Sequence, residues 1–557
     1  MADGGLGGAL AWGLQRARYC CVVLGTIFRD PGRRAPARHR RQQHRQHHRY
    51  PSSTDLPVSS IEHLLLPDRS GSSRHDDQEE HGDVHPCSCE ATRGSSSSDV
   101  GPLPDRSPPR PPSTLPPPAS YPGSSLPSSR RRRRGRRLWR QRCPSRCRVF
   151  AVMLTLSAAA LALLAWRSET MLRLPWTPDE ETRLFSSLPL PPASGRLEAA
   201  NFTLPLRTQG RDIVDATGRR FRLASVNWYG ASDERFVVGG LDVQHRDVIA
   251  QTIRRLGFNS VRLPYADELV TANPVVDPDA VSANPDLAGR RALDVFGAVT
   301  TSLTEAGLVV IPNNHITSAT WCCGADPCDA GWSNDHLGPA CRVRQTEEGW
   351  IRNWEAVMRP HVDDPLVAGA DLRNEVRGLW GTMPWPSWAA AAERCGNRLL
   401  AMNPRWLVVV EGTESANDVS GARRRPVLLD VPDRLVYSAH VYAWSGWGSV
   451  GGRFAQRTYR SFADSMRRSW GYLLEQDVAP VWVGELGASH SPTRGARTYW
   501  SNLFRYLNDV DADFGYWALN PRKPRRNEHE SYALVADDYL TPIVDYRMKD
   551  MVELMNR

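Results

Sequence analysis

The sequence predicts an α/β protein: a closed (β/α)8 TIM barrel preceded by a disordered N-terminal arm and one transmembrane or signal-anchor helix. Three observations carry that prediction. Eight short runs rich in apolar and β-branched residues recur from about residue 211 onward, most of them separated by stretches with helical spacing. No glycine-rich phosphate loop opens any of those stretches, which argues against an open nucleotide-binding sheet. The first 148 residues have a different composition altogether, and an uncharged apolar run follows them.

Residues 1–148 carry 26 Arg, no Lys and 13 acidic residues. Their net charge of +13, against +9 for the whole chain, leaves −4 for the rest, so the basic balance belongs to the arm. Rich in Ser, Pro, Arg and His and poor in apolar clusters, the arm cannot bury enough surface to offset its chain entropy, and it reads as disordered. Nucleic-acid binding is the other reading of so much arginine. Lysine, however, occurs only at Lys523 and Lys549, so the arginine excess is a bias of the entire chain and no nucleic-acid partner is expected. His44, His47, His48 and the Cys87/Cys89 pair lack the paired spacing of a zinc site.

Val149–Trp166 is eighteen residues without a charge, just long enough to cross a hydrocarbon core as a helix. Arg130–Arg134, Arg136, Arg137, Arg140, Arg142, Arg146 and Arg148 crowd its N-terminal side, while the charges beyond it are mixed. The positive-inside rule then leaves the arm in the cytosol and exports the remainder. Cleavage of the segment as a signal peptide is the alternative, which would release the rest to the cell wall. A glycosylation sequon at Asn201-Phe202-Thr203 agrees with export. So do Cys322, Cys323, Cys328 and Cys341 in one Gly/Asp/Pro-rich loop, where disulfides are expected in place of the rival zinc site, since no Cys-x-x-Cys pair is present. The vicinal Cys322 and Cys323 are expected to take different partners, leaving one cysteine over among five that include Cys395. The domain boundaries follow: an arm over 1–148, the membrane segment at 149–166, a linker at 167–189 and the barrel over 190–557.

Phe221–Trp228 is the first expected strand. A helix over Val243–Leu256 ends at Gly257, and the second strand is Asn259–Leu263. Ala292–Ala306 is helical up to Gly307, followed by the strand Leu308–Pro312. Five more strands are expected at Leu366–Leu372, Trp406–Val410, Leu435–His440, Val481–Gly484 and Phe514–Ala518, with helices over Phe454–Glu475, Arg494–Leu507 and Val544–Met555. Barrels of this kind place their chemistry at the C-terminal ends of the strands. Those ends supply Asn227 and Trp228, Arg262, His315, Asn374 and Glu375, His440 with Tyr442, Glu485, and Trp517. Singly each has a bland explanation: a strand-end Glu is usually a solvated cap, a lone His a structural hydrogen-bond donor, and a Trp part of the core.

Together, the ordered set Arg262, His315, Asn374, Glu375, His440, Tyr442, Glu485 and Trp517 resembles the site signature of glycoside hydrolase family 5. The motifs VNWYG (226–230), VRLP (261–264), DLRNEVRG (371–378), SAHVYAW (438–444) and VGELG (483–487) accompany it. The WCC…GWSND segment at 321–335 looks like plant members in particular. The resemblance, covering about residue 190 to the C-terminus, implies a retaining hydrolase of a β-1,4-linked polysaccharide, glucan before mannan. Glu375 is then the acid/base and Glu485 the nucleophile, with no cofactor. Retention requires two carboxyl groups about 5–5.5 Å apart. Arg262 and Tyr442 would keep Glu485 charged and oriented, and burial beside that negative charge would keep Glu375 protonated. Asn374 would hold the sugar 2-hydroxyl. His315, Trp517, Asn227, Trp228 and Trp444 are expected to touch substrate, with Trp321 and Trp447 lining further subsites. His440 is expected to support the glutamates; metal ligation by His315 or His440 is the alternative, which two-carboxylate catalysis does not need. Transglycosylation on the same scaffold and a carbohydrate-binding protein without turnover are the rival functions. The chain is expected to act as a monomer.

Overall fold

A computed structural model describes residues 144–378, 383–446, 452–523 and 528–557. The expected arm thus lies outside the described residues except for its last few, as do His44, His47, His48, Cys87, Cys89 and Trp447. Eight parallel strands close into a barrel: β1 Ala224–Asn227, β2 Ser260–Ala266, β3 Val309–Ile316, β4 Gly369–Asp371, β5 Leu407–Glu411, β6 Leu435–Val441, β7 Val481–Leu486 and β8 Asp513–Tyr516. Each pairs with the next in sequence, and β8 closes on β1 through Phe514 opposite Ala224. These are the eight runs read from the sequence, with boundaries shifted by a few residues. The first begins three residues late because Phe221 and Leu223 do not extend the barrel sheet. They join Ile213 in a cluster with Val309, Ile311, Leu407, Val409, Val436 and Trp482.

That cluster shows how the two-residue period divides the core. Val309 and Ile311 of β3 belong to it, while the intervening Val310 packs with residues of the outer helices such as Val299 and Leu303. Both faces are buried, which is why the strands read as nearly continuous apolar runs. The helices that cover the barrel include Arg246–Arg255, Ala292–Glu305, Glu347–Met358, Trp385–Met402, Arg494–Val510 and Tyr546–Met555. Gly257 (φ +94°) and Gly307 (φ +80°) end the first two in the left-handed region, as their positions predict. The helix expected over Phe454–Glu475 is broken instead. A 3-10 turn at Phe454–Gln456 precedes a helix at Tyr459–Met466, and a π-turn at Arg467–Gly471 leads into Tyr472–Glu475. Gly471 sits so close to Tyr506 Oη that any side chain there would collide with it.

The apolar segment lies within one long helix, Pro144–Arg173, whose Val152–Arg173 portion is long and apolar enough to cross a membrane and is not buried in the protein. Residues 167–189 contain the end of that helix and a short helix, Glu180–Ser187. Leu174 O accepts from Arg494 N (2.9 Å), and Pro175 bridges to Thr493, so the helix leads directly into the barrel.

The disulfide expectation is corrected in one respect. Cys322 and Cys323 bond to each other, not to separate partners; Cys328 bonds to Cys341, and Cys395 is buried and free. Cys328 and Cys341 face each other with Cα atoms 5.5 Å apart, the ordinary separation for a bridge. Their pairing leaves the two adjacent thiols of the loop only one another.

Candidate active site

Arg262, on β2, is the centre of the barrel mouth and is fully buried. Its Nε donates to Asp371 Oδ2 (2.7 Å) and its Nη2 to Glu411 Oε1 (2.8 Å) and Asn374 Oδ1 (2.7 Å). Nη1 donates to Glu485 Oε1 (2.5 Å) and Asn227 Oδ1 (2.9 Å). Burial alone would lower the guanidinium's pKa, but Asp371, Glu485 and Glu411 together hold it above its ordinary value. Three carboxyls therefore converge on one cation. Burial first, and then the charge of Asp371, push the Glu411 carboxyl well up.

Glu375 and Glu485 face each other across His440. His440 Nδ1 lies 3.1 Å from Glu375 Oε1 and 3.6 Å from Glu485 Oε2, and one ligand atom of each of the three residues falls within 4.8 Å of the others. Tyr442 Oη donates to Glu485 Oε2 (2.8 Å), so Glu485 is held at both oxygens, by a phenol and by a guanidinium. Glu375 has φ +46°, a left-handed conformation that costs a non-glycine residue about 1–3 kcal/mol. Its backbone N–H donates to Glu411 Oε2 (2.7 Å), which anchors the turn after β4. Burial raises the Glu375 carboxyl to about 7, against the lowering pull of Arg377 and Arg262. Burial lowers His440 to about 4, despite the opposing charge of Glu485, so the imidazole is neutral at neutral pH.

The remaining expected residues divide between groove and support. Trp517 stacks on Tyr229 (centroids 4.9 Å, interplanar 7°) and on His315 (5.4 Å, 10°). Trp444 is 53% exposed and stacks on Tyr442 (4.4 Å, 10°), and Trp321 is exposed with its ring edge-on to Tyr229. Asn227 is fully buried; besides accepting from Arg262 it donates to Gly484 O (3.0 Å) and Tyr516 O (3.1 Å), so it supports the mouth from below. Trp228 is not brought to the groove. It is fully buried, with its indole N–H on Gly239 O (2.8 Å), because the next side chain along the chain points away from the one that meets Arg262.

A sequence profile described as cellulase (glycosyl hydrolase family 5) matches residues 214–523, more than half of the chain. The chain belongs to glycosyl hydrolase family 5. As a member of that family it is a glycosidase of the endoglucanase type. An endoglucanase of Paenibacillus polymyxa is 30% identical over 361 residues, covering 62% of this chain and 85% of its own. A glycosyl hydrolase 5 family protein of Chamaecyparis obtusa, a plant relative, is 26% identical over 369 residues, 61% of this chain and 64% of its own. Among solved structures, an endocellulase of Pyrococcus horikoshii superposes with TM-score 0.54 at 22% identity, over 64% of this chain and 99% of its own. The catalytic domain of the major endoglucanase of Xanthomonas campestris gives 0.53 at 24%, over 63% and 100%. At such identities these two structures speak for the fold alone.

Two carboxyls of this family-5 site escaped the sequence reading. Asp371 closes β4 three residues before Asn374, and Glu411 closes β5 in the run Leu407–Glu411. The signal was available, since both are acidic residues at C-terminal strand ends, the same rule that singled out Glu485.

Proposed function

We propose that the chain is a retaining, endo-acting hydrolase of a β-1,4-linked glucan, with Glu485 as nucleophile and Glu375 as acid and then base. One observation carries the reading: oxygens of the two glutamates lie within 4.8 Å of each other around a shared histidine. That closeness supports the spacing of about 5–5.5 Å that retention requires between the two carboxyl groups. Glu375, raised to about 7, holds a proton near neutral pH and delivers it to the leaving glycosidic oxygen. Arg262 and Tyr442 orient Glu485 for attack at the anomeric carbon. Asn374, whose Oδ1 is fixed by Arg262, turns its amide toward the 2-hydroxyl. Neutral His440 keeps the two carboxyls apart without adding charge, and once the glycosyl bond has formed Glu375 removes a proton from the incoming water. Trp517 offers a flat apolar face to a pyranose, and Trp444 and Trp321 extend the groove. The exposed apolar helix supports a membrane-anchored enzyme with an exported barrel, and in this reading the barrel acts as a monomer on cell-wall polysaccharide.

The test is an assay of the full-length chain with its disulfides formed, on a panel of β-glucans and β-mannans, beside Glu485→Ala and Glu375→Ala. Cleavage of β-1,4-glucan with retained anomeric configuration is expected, lost by several orders of magnitude in both variants. A folded parent that binds gluco-oligosaccharide but cleaves nothing on the panel would overturn hydrolysis and favour a binding role. Transfer to an added sugar in preference to water would make the protein a transglycosylase.

A further inference from the structure

The two disulfides of the 321–341 loop close very different rings. Cys328–Cys341 spans 13 residues and restrains the unfolded chain, whereas Cys322–Cys323 joins neighbours and closes no loop worth restraining. Both sulfurs of the neighbouring pair instead lie against the sugar site, where Asn374 Nδ2 donates to Cys323 Sγ (3.2 Å) and Cys322 Sγ (3.5 Å). The pair is half-buried, so a small reductant can reach it. His315, on β3, completes the corner: ligand atoms of His315, Cys322 and Cys323 all lie within 4.8 Å of one another.

The histidine is prepared in a specific way. Asn313 Nδ2 donates to Asp371 Oδ2 (3.0 Å), which turns Asn313 Oδ1 toward the imidazole, 2.8 Å from Nδ1. An amide oxygen only accepts, so His315 Nδ1 carries the hydrogen and Nε2 keeps its lone pair. A histidine whose second nitrogen is tied to an oxygen in this way is the arrangement that orients metal-ligating imidazoles.

We propose that opening the Cys322–Cys323 bond turns this corner into a site for one soft divalent cation, held by the two thiolates and His315 Nε2. A dithiol reductant supplies two electrons and two protons, becoming a disulfide itself as the Cys322–Cys323 bond becomes two thiols. Binding of the cation then releases both thiol protons to solvent. Sulfur and imidazole donors select zinc-like and cadmium-like cations over magnesium or calcium. The bound cation takes the sulfurs from Asn374 Nδ2 and stands where a sugar would meet that amide.

The experiment uses the full-length chain and Cd²⁺, whose thiolate complexes absorb in the ultraviolet, so it is independent of glycosidase turnover. Oxidised and dithiol-reduced protein, the latter freed of reductant, are titrated beside Cys322→Ser/Cys323→Ser and His315→Ala. Reduced wild type is expected to take up one equivalent more than the reduced double serine variant, and oxidised wild type to lack that equivalent. His315→Ala should weaken it by roughly tenfold or more, since even outer partners of a metal site act on that scale. In wild type alone, Cd²⁺ should protect both Cys322 and Cys323 from alkylation read by peptide mass spectrometry, which needs no variant to fold. Equal uptake by wild type and the double serine variant, or alkylation unchanged by Cd²⁺, would overturn the site. Undiminished affinity in His315→Ala would remove the histidine from it.

Discussion

Arg262, inside β2, and Arg373, just past the end of β4, are both completely buried, yet their surroundings differ in charge. Arg373 meets one carboxylate, Asp267 (3.1 Å), and otherwise neutral oxygens: Asn314 Oδ1 (2.8 Å), Thr317 Oγ1 (3.0 Å) and Asp329 O (3.2 Å). It bonds to a single carboxylate, within a buried cluster. Arg262 meets three carboxyls, and one of them, Glu485, is slightly exposed at the mouth. A buried ion pair is weak evidence for stability, because desolvation offsets most of the attraction. What separates the two clusters is therefore the surplus of negative charge and its single opening toward the groove. The Arg373 cluster ties the β4 turn to the neighbouring loops, and the surplus cluster is the one able to do chemistry.

Arg262→Met should have the largest effect. Turnover on β-1,4-glucan is expected to fall about 10³-fold or more, as when a dominant electrostatic donor is lost. Stability in urea unfolding should drop by about 3–5 kcal/mol, because the carboxyls are left unpaired. Arg373→Met should cost a comparable 3–5 kcal/mol or so while turnover stays within about tenfold of the parent. Equal losses of turnover in the two variants would erase the distinction between the clusters.

Glu411→Gln comes next. Its two oxygens accept from Arg262 Nη2 and from Glu375 N, and an amide must turn a donor toward one of them. We expect kcat to fall about 10²-fold, the scale of a small misplacement of a reacting group, with KM little changed. A KM effect without a kcat effect would place Glu411 outside the acid/base turn.

The pH dependence tests the same cluster more gently. Glu375 must be protonated to act as acid, and its raised carboxyl near 7 means that kcat/KM is present below that pH and is lost as pH rises through it. Arg377 lowers the Glu375 pKa, so Arg377→Gln should move the alkaline limb upward, by less than about one unit. A limb that stays in place, or that moves down, would show that another group governs it.

The barrel was legible because parallel strands buried on both faces must be apolar along their whole length, and because Gly257 and Gly307 mark helix ends. The strand-end residues were legible for the same reason, since any polar group that follows such a run stands out. Glu411 and Asp371 followed the same rule and were passed over because the family signature does not include them. Trp228 was misplaced because sequence adjacency to Asn227 says nothing of which side of the strand faces the mouth. The mutual bond of Cys322 and Cys323 was not legible, because the choice among partners depends on where a loop folds and not on spacing. Neither was the break in the helix over 454–475, where the π-turn ends at Gly471 against Tyr506 Oη.

The threefold acidic company of Arg262 bears on kinetics as well as structure. While Glu485 is a free anion, the pocket holds more negative charge than one guanidinium can neutralise. Ester formation with the sugar discharges one carboxylate and relieves that imbalance, so the glycosyl-enzyme is the electrically quieter state of the catalytic cycle. Such a state should accumulate. Rapid mixing with an activated aryl β-glucoside would then release a first, fast stoichiometric pulse of phenol before a slower steady rate, and a strictly linear trace from the first turnover would count against it.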